Sequence, residues 1–149
     1  MKQVKAVLIS KKMVTLDVCH LYFYVEGESF EFSPGQYVIL SIPNSPTPLK
    51  RLYSFAGANS NKNVFELLIK LVPGGRASEY IRDLHVGDSI SASGPAGLFA
   101  EQKTMAQKVY MVTGTGYAPI RSVLTSSLHQ ATPRTLFWGL KNVSETYMF

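Results

Sequence analysis

The 149-residue sequence contains only one cysteine, Cys19. A single thiol excludes an intrachain disulfide framework, a four-cysteine zinc site and a cysteine-ligated iron–sulfur cluster within this chain. Histidine is also scarce, and His20, His85 and His129 fall in separate predicted elements with no metal-ligand spacing. The sequence therefore predicts no metal centre, and Cys19 is expected to pack in a core.

Long apolar runs are missing as well. The apolar stretch within the N-terminal sequence MKQVKAVLISKK is too short for the hydrophobic region of a signal peptide. No later segment has the length that a membrane-spanning helix requires. We therefore expect no membrane span and a cytoplasmic, reducing setting for the protein.

Charge of one sign is not concentrated in any segment. Lysine and arginine number 15 against 10 aspartates and glutamates, which gives a formal net charge of +5. Only Lys11–Lys12 and Lys50–Arg51 are adjacent basic pairs, so no basic stripe follows the spacing of a phosphate backbone. A nucleic-acid partner is not predicted.

Short strands dominate the first hundred residues. The segments QVKAVLIS, TLDVCHLYFYVEG, QYVILSI, RLYSFAG, VFELLIKLV and SISASG are rich in β-branched and aromatic residues and are separated by turn formers. In the second segment Cys19, Leu21, Phe23 and Val25 fall on one face, as a half-buried strand requires. One short helix, ASEYIRDL, interrupts the strands. This pattern predicts an all-β antiparallel barrel with one short helix.

The pattern changes near residue 104. KVYMVTG is predicted to be a buried parallel strand, because its apolar residues run on without strict alternation. Apolar residues then recur at helical spacing over residues 118–130, and RTLFWGL, which places Trp138 in the core, is a second buried strand. This βαβ unit is the start of an α/β domain. We therefore divide the chain into a barrel at 1–103 and an incomplete second domain at 104–149.

The segment KRLYS at residues 50–54 is the first candidate binding motif. Arg51 offers a planar fork of donors that suits a phosphate. Arg51 and Tyr53 alternate onto one face of a strand, and the tyrosine ring followed by the Ser54 hydroxyl could stack on a flat heterocycle and hydrogen-bond its edge. On its own, the same pattern also fits a surface strand with a half-buried tyrosine.

Two glycine-rich turns follow. In VPGGRASEYI, at residues 72–81, two glycines precede a helix whose free N–H groups and positive dipole end together hold an anion. Ser78 lies in the first turn of that helix, where its hydroxyl either contributes to the anion site or caps the helix. In GTGYAP, at residues 114–119, a glycine turn joins the predicted parallel strand to its helix. That turn has the features of a nucleotide site.

In this order, RLYS, GGRAS and GTGYAP resemble the motifs of the ferredoxin–NADP reductase family of flavin-dependent oxidoreductases. The resemblance extends over the whole chain, including FSPGQYVIL before the first motif and ISASGPAGLF after the second. It implies a flavin-binding barrel followed by the first βαβ unit of an NAD(P)-binding domain. The implied cofactor is FAD, with FMN less favoured, and the implied substrate is NADH or NADPH. No residue decides between FAD and FMN or between NADH and NADPH.

The resemblance also implies roles for individual residues. Arg51 would bind the flavin diphosphate, Tyr53 would stack on the isoalloxazine ring and Ser54 would hydrogen-bond N5, so Tyr53 and Ser54 are the implied catalytic residues. The other implied cofactor-binding residues are Ile69, Lys70 and Leu71 along the flank of the flavin, Gly75, Arg76, Ala77 and Ser78 around the pyrophosphate, and Gly114, Thr115, Gly116 and Pro119 at the nicotinamide turn. Tyr117 stands where the family has a small aliphatic residue and is expected to narrow the nicotinamide approach.

The reaction implied by the resemblance is hydride transfer from NAD(P)H to flavin N5. Single electrons would then pass to ferredoxin, flavodoxin or an oxygenase component. Because the βαβ unit is incomplete, a second hypothesis is a flavin-binding module or electron-transfer subunit without independent NAD(P)H turnover. The open strand edge also predicts self-association through the C-terminal sheet. Away from the motifs, Glu66 and Lys70 share one strand face and are expected on a solvated edge.

Overall fold

The computed structural model describes residues 1–27, 29–43, 46–102, 106–127 and 132–147. Within them, the first part of the chain contains β1 (Lys2–Met13), β2 (Val18–Val25), β3 (Tyr37–Ile42), β4 (Leu49–Ser54), β5 (Val64–Lys70), α1 (Arg76–Asp83) and β6 (Ser89–Ala96). The second part contains β7 (Lys108–Thr113), a 3-10 turn (Gly114–Gly116), α2 (Tyr117–Ser126), β8 (Arg134–Gly139) and a further 3-10 turn (Val143–Glu145). Neither helix in the described residues has the length and apolar character needed to cross a membrane.

The six strands of the first part form one antiparallel sheet in the order β4-β3-β6-β1-β2-β5. Its two edges meet at an isolated bridge between Phe55, directly after β4, and Leu67 of β5. The predicted antiparallel strands are confirmed, but the sheet is a half-barrel, not a closed barrel. Among the described residues β4 has a ladder partner, β3, on one side only. It therefore presents a strand edge that a ligand can reach.

Alternating side chains build the core of the half-barrel. Every second residue of β2 from Cys19 to Val25 is fully buried, as period-2 spacing predicts. Aromatic rings fill the centre, where Phe32 stacks on Phe55 with ring centroids 3.9 Å apart. Ile81 of α1 lies in the same core. The short helix is therefore packed against the half-barrel by its own apolar face.

In the second part, β7 and β8 form a two-stranded parallel sheet with Lys108 opposite Arg134. The predicted βαβ start is confirmed. Its strands are less buried than their sequence predicts, because the side chains of Val109, Met111 and Phe137 are more than half exposed. Parallel strands are buried on both faces only where helices cover both, and the described residues of the second part supply one helix, α2.

An apolar cluster attaches α2 to the half-barrel. Tyr117 and Ala118, at the start of the helix, are buried against Val18 of β2, Leu68 of β5 and Ala56, which follows β4. The helix begins at Tyr117, one residue before the predicted segment 118–130. Within the described residues it ends at Ser126, four residues before the predicted end. The predicted positions 128–130 lie outside them.

Glu101 anchors the segment that joins the two parts. Its carboxylate accepts a hydrogen bond from Arg134 Nε (3.2 Å), pairs with Lys108 Nζ (3.0 Å) and accepts the Tyr110 hydroxyl. Burial raises the pKa of Glu101, but these hydrogen bonds outweigh burial and lower it to about 2. The residues around the predicted boundary, 103–105, lie outside the described ones, so the division at 103/104 stays a prediction.

Candidate functional site

The first motif lies on the edge strand β4. The register of β4 on β3 places Arg51 opposite Leu40 and Tyr53 opposite Val38, so both side chains start from the core-facing side of the sheet, and Ser54 from the other. Tyr53 packs against the core, whereas Arg51 is exposed and its Nη1 donates to the carbonyl of the preceding residue (2.9 Å). Burial raises the pKa of the Tyr53 phenol, and the Arg51 charge opposes this effect. The predicted alternation is confirmed.

The second motif is a tight turn that leads into α1. Gly74 has a φ of +69°, in the left-handed region that favours glycine. A Cβ on Gly75 would lie 3.1 Å from the Val72 carbonyl oxygen and 3.2 Å from Ser78 Oγ, so the turn has little room for a side chain. The Ser78 hydroxyl accepts the Val72 N–H (2.8 Å), while Gly75 at the helix start has no side-chain cap. Ser78 therefore closes the turn, and the first amide groups of α1 have no intrahelical acceptor.

Lys11, which the motifs do not include, holds the other end of α1. Its Nζ donates to the carbonyls of Arg82 (2.6 Å) and Leu84 (2.8 Å), which are the carbonyls that a helix leaves without intrahelical donors at its C-terminal end. A cation there also complements the helix dipole. Lys11 thus fixes the direction of the helix whose start forms the second motif, and no local signal distinguishes it from Lys12 in the sequence.

The segment of Ile69, Lys70 and Leu71 lies at the end of β5 and leads into the second motif. Ile69 and Leu71 are buried in the half-barrel core, whereas Lys70 is exposed and pairs with Asp17 (2.8 Å). The hydrogen bond from Lys70 lowers the pKa of the Asp17 carboxyl. Contact with a cofactor would therefore come from the backbone or from Lys70, and the role of this segment stays a prediction.

The third motif forms the turn between β7 and α2. Gly114 has a φ of +49°, and the turn continues through Gly116 into the helix, where Pro119 occupies the first turn without loss of an intrahelical bond. Trp138, which is partly buried, donates from Nε1 to the Gly114 carbonyl (3.0 Å). The expectation that Tyr117 narrows the nicotinamide approach is wrong, because its ring is 7% exposed and stacks on Trp138 with centroids 4.2 Å apart.

Glu66 contradicts the prediction of a solvated edge. Its side chain is only 18% exposed, and Oε2 lies 3.0 Å from His20 Nε2 and 2.8 Å from Arg121 Nη1. Burial raises the pKa of Glu66, but the hydrogen bond from His20 and the charge of Arg121 outweigh it and lower the pKa below its usual range. The period-2 pattern placed Glu66 on the outer face correctly. Helix α2 covers that face, which strand periodicity does not reveal.

The structure brings the first and third motifs together. Arg121, five residues after Gly116, donates to the carbonyl of Ala56, two residues after Ser54 (2.6 Å). The second motif follows β5, whose residue Leu67 forms the isolated bridge to Phe55. The first and third motifs are therefore joined by a direct hydrogen bond, and the second continues from the strand that meets the end of β4.

A half-barrel with an arginine–tyrosine–serine edge strand, a glycine turn before a short helix and an adjoining βαβ unit defines a flavin-binding reductase domain. The chain belongs to the oxidoreductase FAD-binding domain family, whose sequence model matches residues 5–100. The predicted family and its cofactor, FAD, are confirmed.

Two curated relatives show the extent of the similarity. Ferredoxin–NADP reductase B of Sorangium cellulosum is 39% identical over 104 residues, which cover 69% of this chain and 43% of that protein. The ferredoxin–NAD(P)(+) reductase component of the naphthalene 1,2-dioxygenase system of Pseudomonas putida is 33% identical over 150 residues, covering 97% of this chain and 44% of that protein. This chain thus spans less than half the length of these relatives.

Solved structures agree on the fold. A cytochrome P450 reductase from Amycolatopsis superposes with a TM-score of 0.89 at 27% identity, covering 98% of this chain and 45% of that one. Phthalate dioxygenase reductase, described as a modular structure for electron transfer from pyridine nucleotides to a [2Fe-2S] centre, superposes with a TM-score of 0.84 at 20% identity, covering 97% and 46%. At that identity the second match supports the fold alone.

Proposed function

We propose that this chain is the FAD-binding part of an NAD(P)H-dependent oxidoreductase that passes electrons to a ferredoxin, flavodoxin or oxygenase component. When bound, FAD supplies hydride acceptance from a nicotinamide and release of single electrons. The observation that carries the proposal is the Arg51–Tyr53–Ser54 edge strand, whose continuation contacts the helix after the glycine turn. Relatives named as ferredoxin reductases and dioxygenase reductase components support the acceptor class. The cytoplasmic setting stays a prediction.

The residues present fit the diphosphate of FAD. The start of α1 supplies backbone donors and the positive end of a helix dipole, which favour an anion. The close packing at Gly75 leaves little room for a side chain, so glycine keeps the tight turn that leads into these amide groups. The exposed guanidinium of Arg51 can bind a phosphate through two parallel hydrogen bonds.

The other residues of the site would orient the isoalloxazine ring of the flavin and the nicotinamide. The half-buried Tyr53 ring is restrained by the core, so it offers a fixed surface for stacking. The Ser54 hydroxyl can either donate or accept a hydrogen bond, which suits flavin N5, a nitrogen whose protonation changes with the redox state of the flavin. An added Cβ on Gly114 or Gly116 would meet no described heavy atom within 4 Å, so this side of the turn leaves space for a nucleotide.

A second candidate is a flavin-binding module or electron-transfer subunit without independent NAD(P)H turnover. The exposed side chains of Val109, Met111 and Phe137 favour it, because they leave one face of the parallel sheet without a covering layer in the described residues. We propose that the same face and the strand edges beside it allow self-association. Size-exclusion chromatography with light scattering over a range of concentrations tests this, and a monomer at every concentration contradicts it.

Flavin binding tests the proposed function first. Protein reconstituted with FAD should show the absorbance bands of bound flavin, and Arg51→Met should weaken FAD affinity at least about tenfold, the loss of one charged hydrogen-bonded contact. Lys62→Met is the matched control, since Lys62 forms an exposed ion pair with Glu31 (3.0 Å) away from the motifs. A protein that does not bind FAD, or an Arg51→Met variant equal to the control, refutes the assignment.

Anaerobic mixing of the FAD-loaded protein with NADH or NADPH separates the two candidates. Rapid loss of flavin absorbance supports a competent reductase and also identifies the preferred nucleotide. A flavin that stays oxidised supports the binding module.

A further inference from the structure

Arg121, in the middle of α2, joins the second part of the chain to the half-barrel. Its Nη1 donates to the Ala56 carbonyl (2.6 Å) and to Glu66 Oε2 (2.8 Å). The next residue, Ser122, is fully buried and donates from Oγ to the Gly57 carbonyl (2.7 Å). Consecutive residues of one helix therefore bind the two residues that extend the first motif.

Glu66 is itself held from the half-barrel side. His20 Nε2 lies 3.0 Å from Glu66 Oε2, and the Glu66 backbone carbonyl accepts the Ala56 N–H (2.8 Å). A Cβ on Gly57 would lie 2.2 Å from Glu66 Oε1, so glycine at this position allows the carboxylate to lie against the chain. The half-barrel therefore holds the carboxylate in place, and Oε2 accepts the hydrogen bond from Arg121.

We propose that Arg121 and Glu66 are positioning residues that set the distance and orientation of the Gly114–Gly116 turn relative to Tyr53. The hydrogen bond from Arg121 to the Ala56 carbonyl connects a point five residues beyond the turn with a point three residues beyond Tyr53, so the path between the two motifs is short. That the turn and Tyr53 hold a nicotinamide and a flavin rests on the proposed function. The positioning itself rests on the contacts alone.

Apolar packing supplies most of the contact surface between the two parts. The apolar cluster of Tyr117, Ala118 and Leu68 already buries the contact surface, and a buried ion pair often adds little net stability over apolar residues of the same size. Directional hydrogen bonds to fixed carbonyls instead select one position of α2 among those that apolar packing permits. A displacement of about 1 Å between reacting groups can slow a transfer step by about a hundredfold.

The first measurement requires no cofactor. Trp138 is the single tryptophan and reports the second part, whereas the strand band of the far-UV circular dichroism spectrum reports mainly the half-barrel, which holds six of the eight described strands. In urea, the two signals of the wild-type chain should change together. In Arg121→Met the Trp138 transition should come at lower urea than the circular dichroism transition, because removal of one partner leaves the largely buried Glu66 carboxylate without its guanidinium across the contact. Lys5→Met, which breaks the exposed Lys5–Glu26 pair (3.0 Å), should behave as the wild type.

The second measurement uses the FAD-loaded chain. Arg121→Met should keep its FAD affinity within about twofold of the Lys5→Met control and lose at least about tenfold in the rate of flavin reduction by NADH or NADPH. Arg121→Lys should recover part of the rate, because an ammonium group can serve Glu66 or the Ala56 carbonyl but lacks the guanidinium fork. A merely structural role would reduce FAD affinity and rate together.

Coincident urea transitions in Arg121→Met overturn the inference, and so does a reduction rate within about twofold of the control. Equal losses of FAD affinity and rate overturn it as well. If Arg121→Met does not fold, Arg121→Lys decides by the same two measurements. If the wild-type chain does not bind FAD or is not reduced, the proposed function fails, and the urea experiment alone decides whether Arg121 couples the two parts.

Discussion

Replacement of Lys11 by methionine tests how α1 is held. Lys11 Nζ donates to two carbonyls at the C-terminal end of α1, at 2.6 and 2.8 Å. A hydrogen bond from a charged donor contributes about 1.5–3 kcal/mol when buried, and a cation at a helix C-terminus adds about 0.3–1 kcal/mol. One of the two bonds is solvent-exposed, and solvent screens its contribution. We therefore expect Lys11→Met to lower the free energy of unfolding by about 1–2 kcal/mol.

Lys12 provides the matched control, because it is adjacent, carries the same charge and is exposed. In a chain of this length about 1 kcal/mol corresponds to about 2–4 °C in Tm. Thermal unfolding followed by circular dichroism should therefore place Lys11→Met about 2–8 °C below Lys12→Met. Because α1 carries the proposed diphosphate site, FAD affinity should also fall in Lys11→Met alone. Equal Tm values for the two variants would refute the reasoning.

Two further predictions concern stability. Glu101→Gln should lower the free energy of unfolding by about 1–2 kcal/mol at neutral pH. Because the pKa of Glu101 is lowered from 4.5 to about 2, the difference in unfolding free energy between variant and wild type should shrink as the pH falls through this range. Urea unfolding across pH measures it, and a difference that does not change with pH contradicts it. Tyr147→Phe should stabilise the chain by up to about 1 kcal/mol, because the buried Tyr147 hydroxyl has no hydrogen-bond partner among the described residues. A lower Tm in Tyr147→Phe shows that the hydroxyl has a favourable contact.

The strands and the order of the motifs could be predicted because both are local properties. Period-2 burial in β2 and the alternation of Arg51 and Tyr53 follow from backbone geometry alone, and the structure reproduces them. The glycine turns could be predicted for the same reason, since the positive φ values of Gly74 and Gly114 are conformations that other residues rarely adopt. These features required no knowledge of which elements pack together.

The polar contacts that hold the site could not be predicted, because their partners are distant in sequence. Lys11 binds carbonyls 71 and 73 residues away, and Glu66 pairs with Arg121 across 55 residues. Lys11 and Glu66 are ordinary charged residues on strands, and strand periodicity places such residues outward. Whether the outward face is solvated or covered depends on the path of the later chain, so neither the burial of Glu66 nor the exposure of Met111 could be predicted.

The attachment of the second part explains the residue at position 117. A two-stranded parallel sheet with one helix has too little core to be stable alone. Tyr117 compensates: its ring stacks on Trp138, meets Tyr147 edge-on and lies in the cluster that contains Leu68 of the half-barrel. A small aliphatic residue, as in the family pattern, would leave most of this surface unfilled. The departure at Tyr117 therefore stabilises the contact between the two parts.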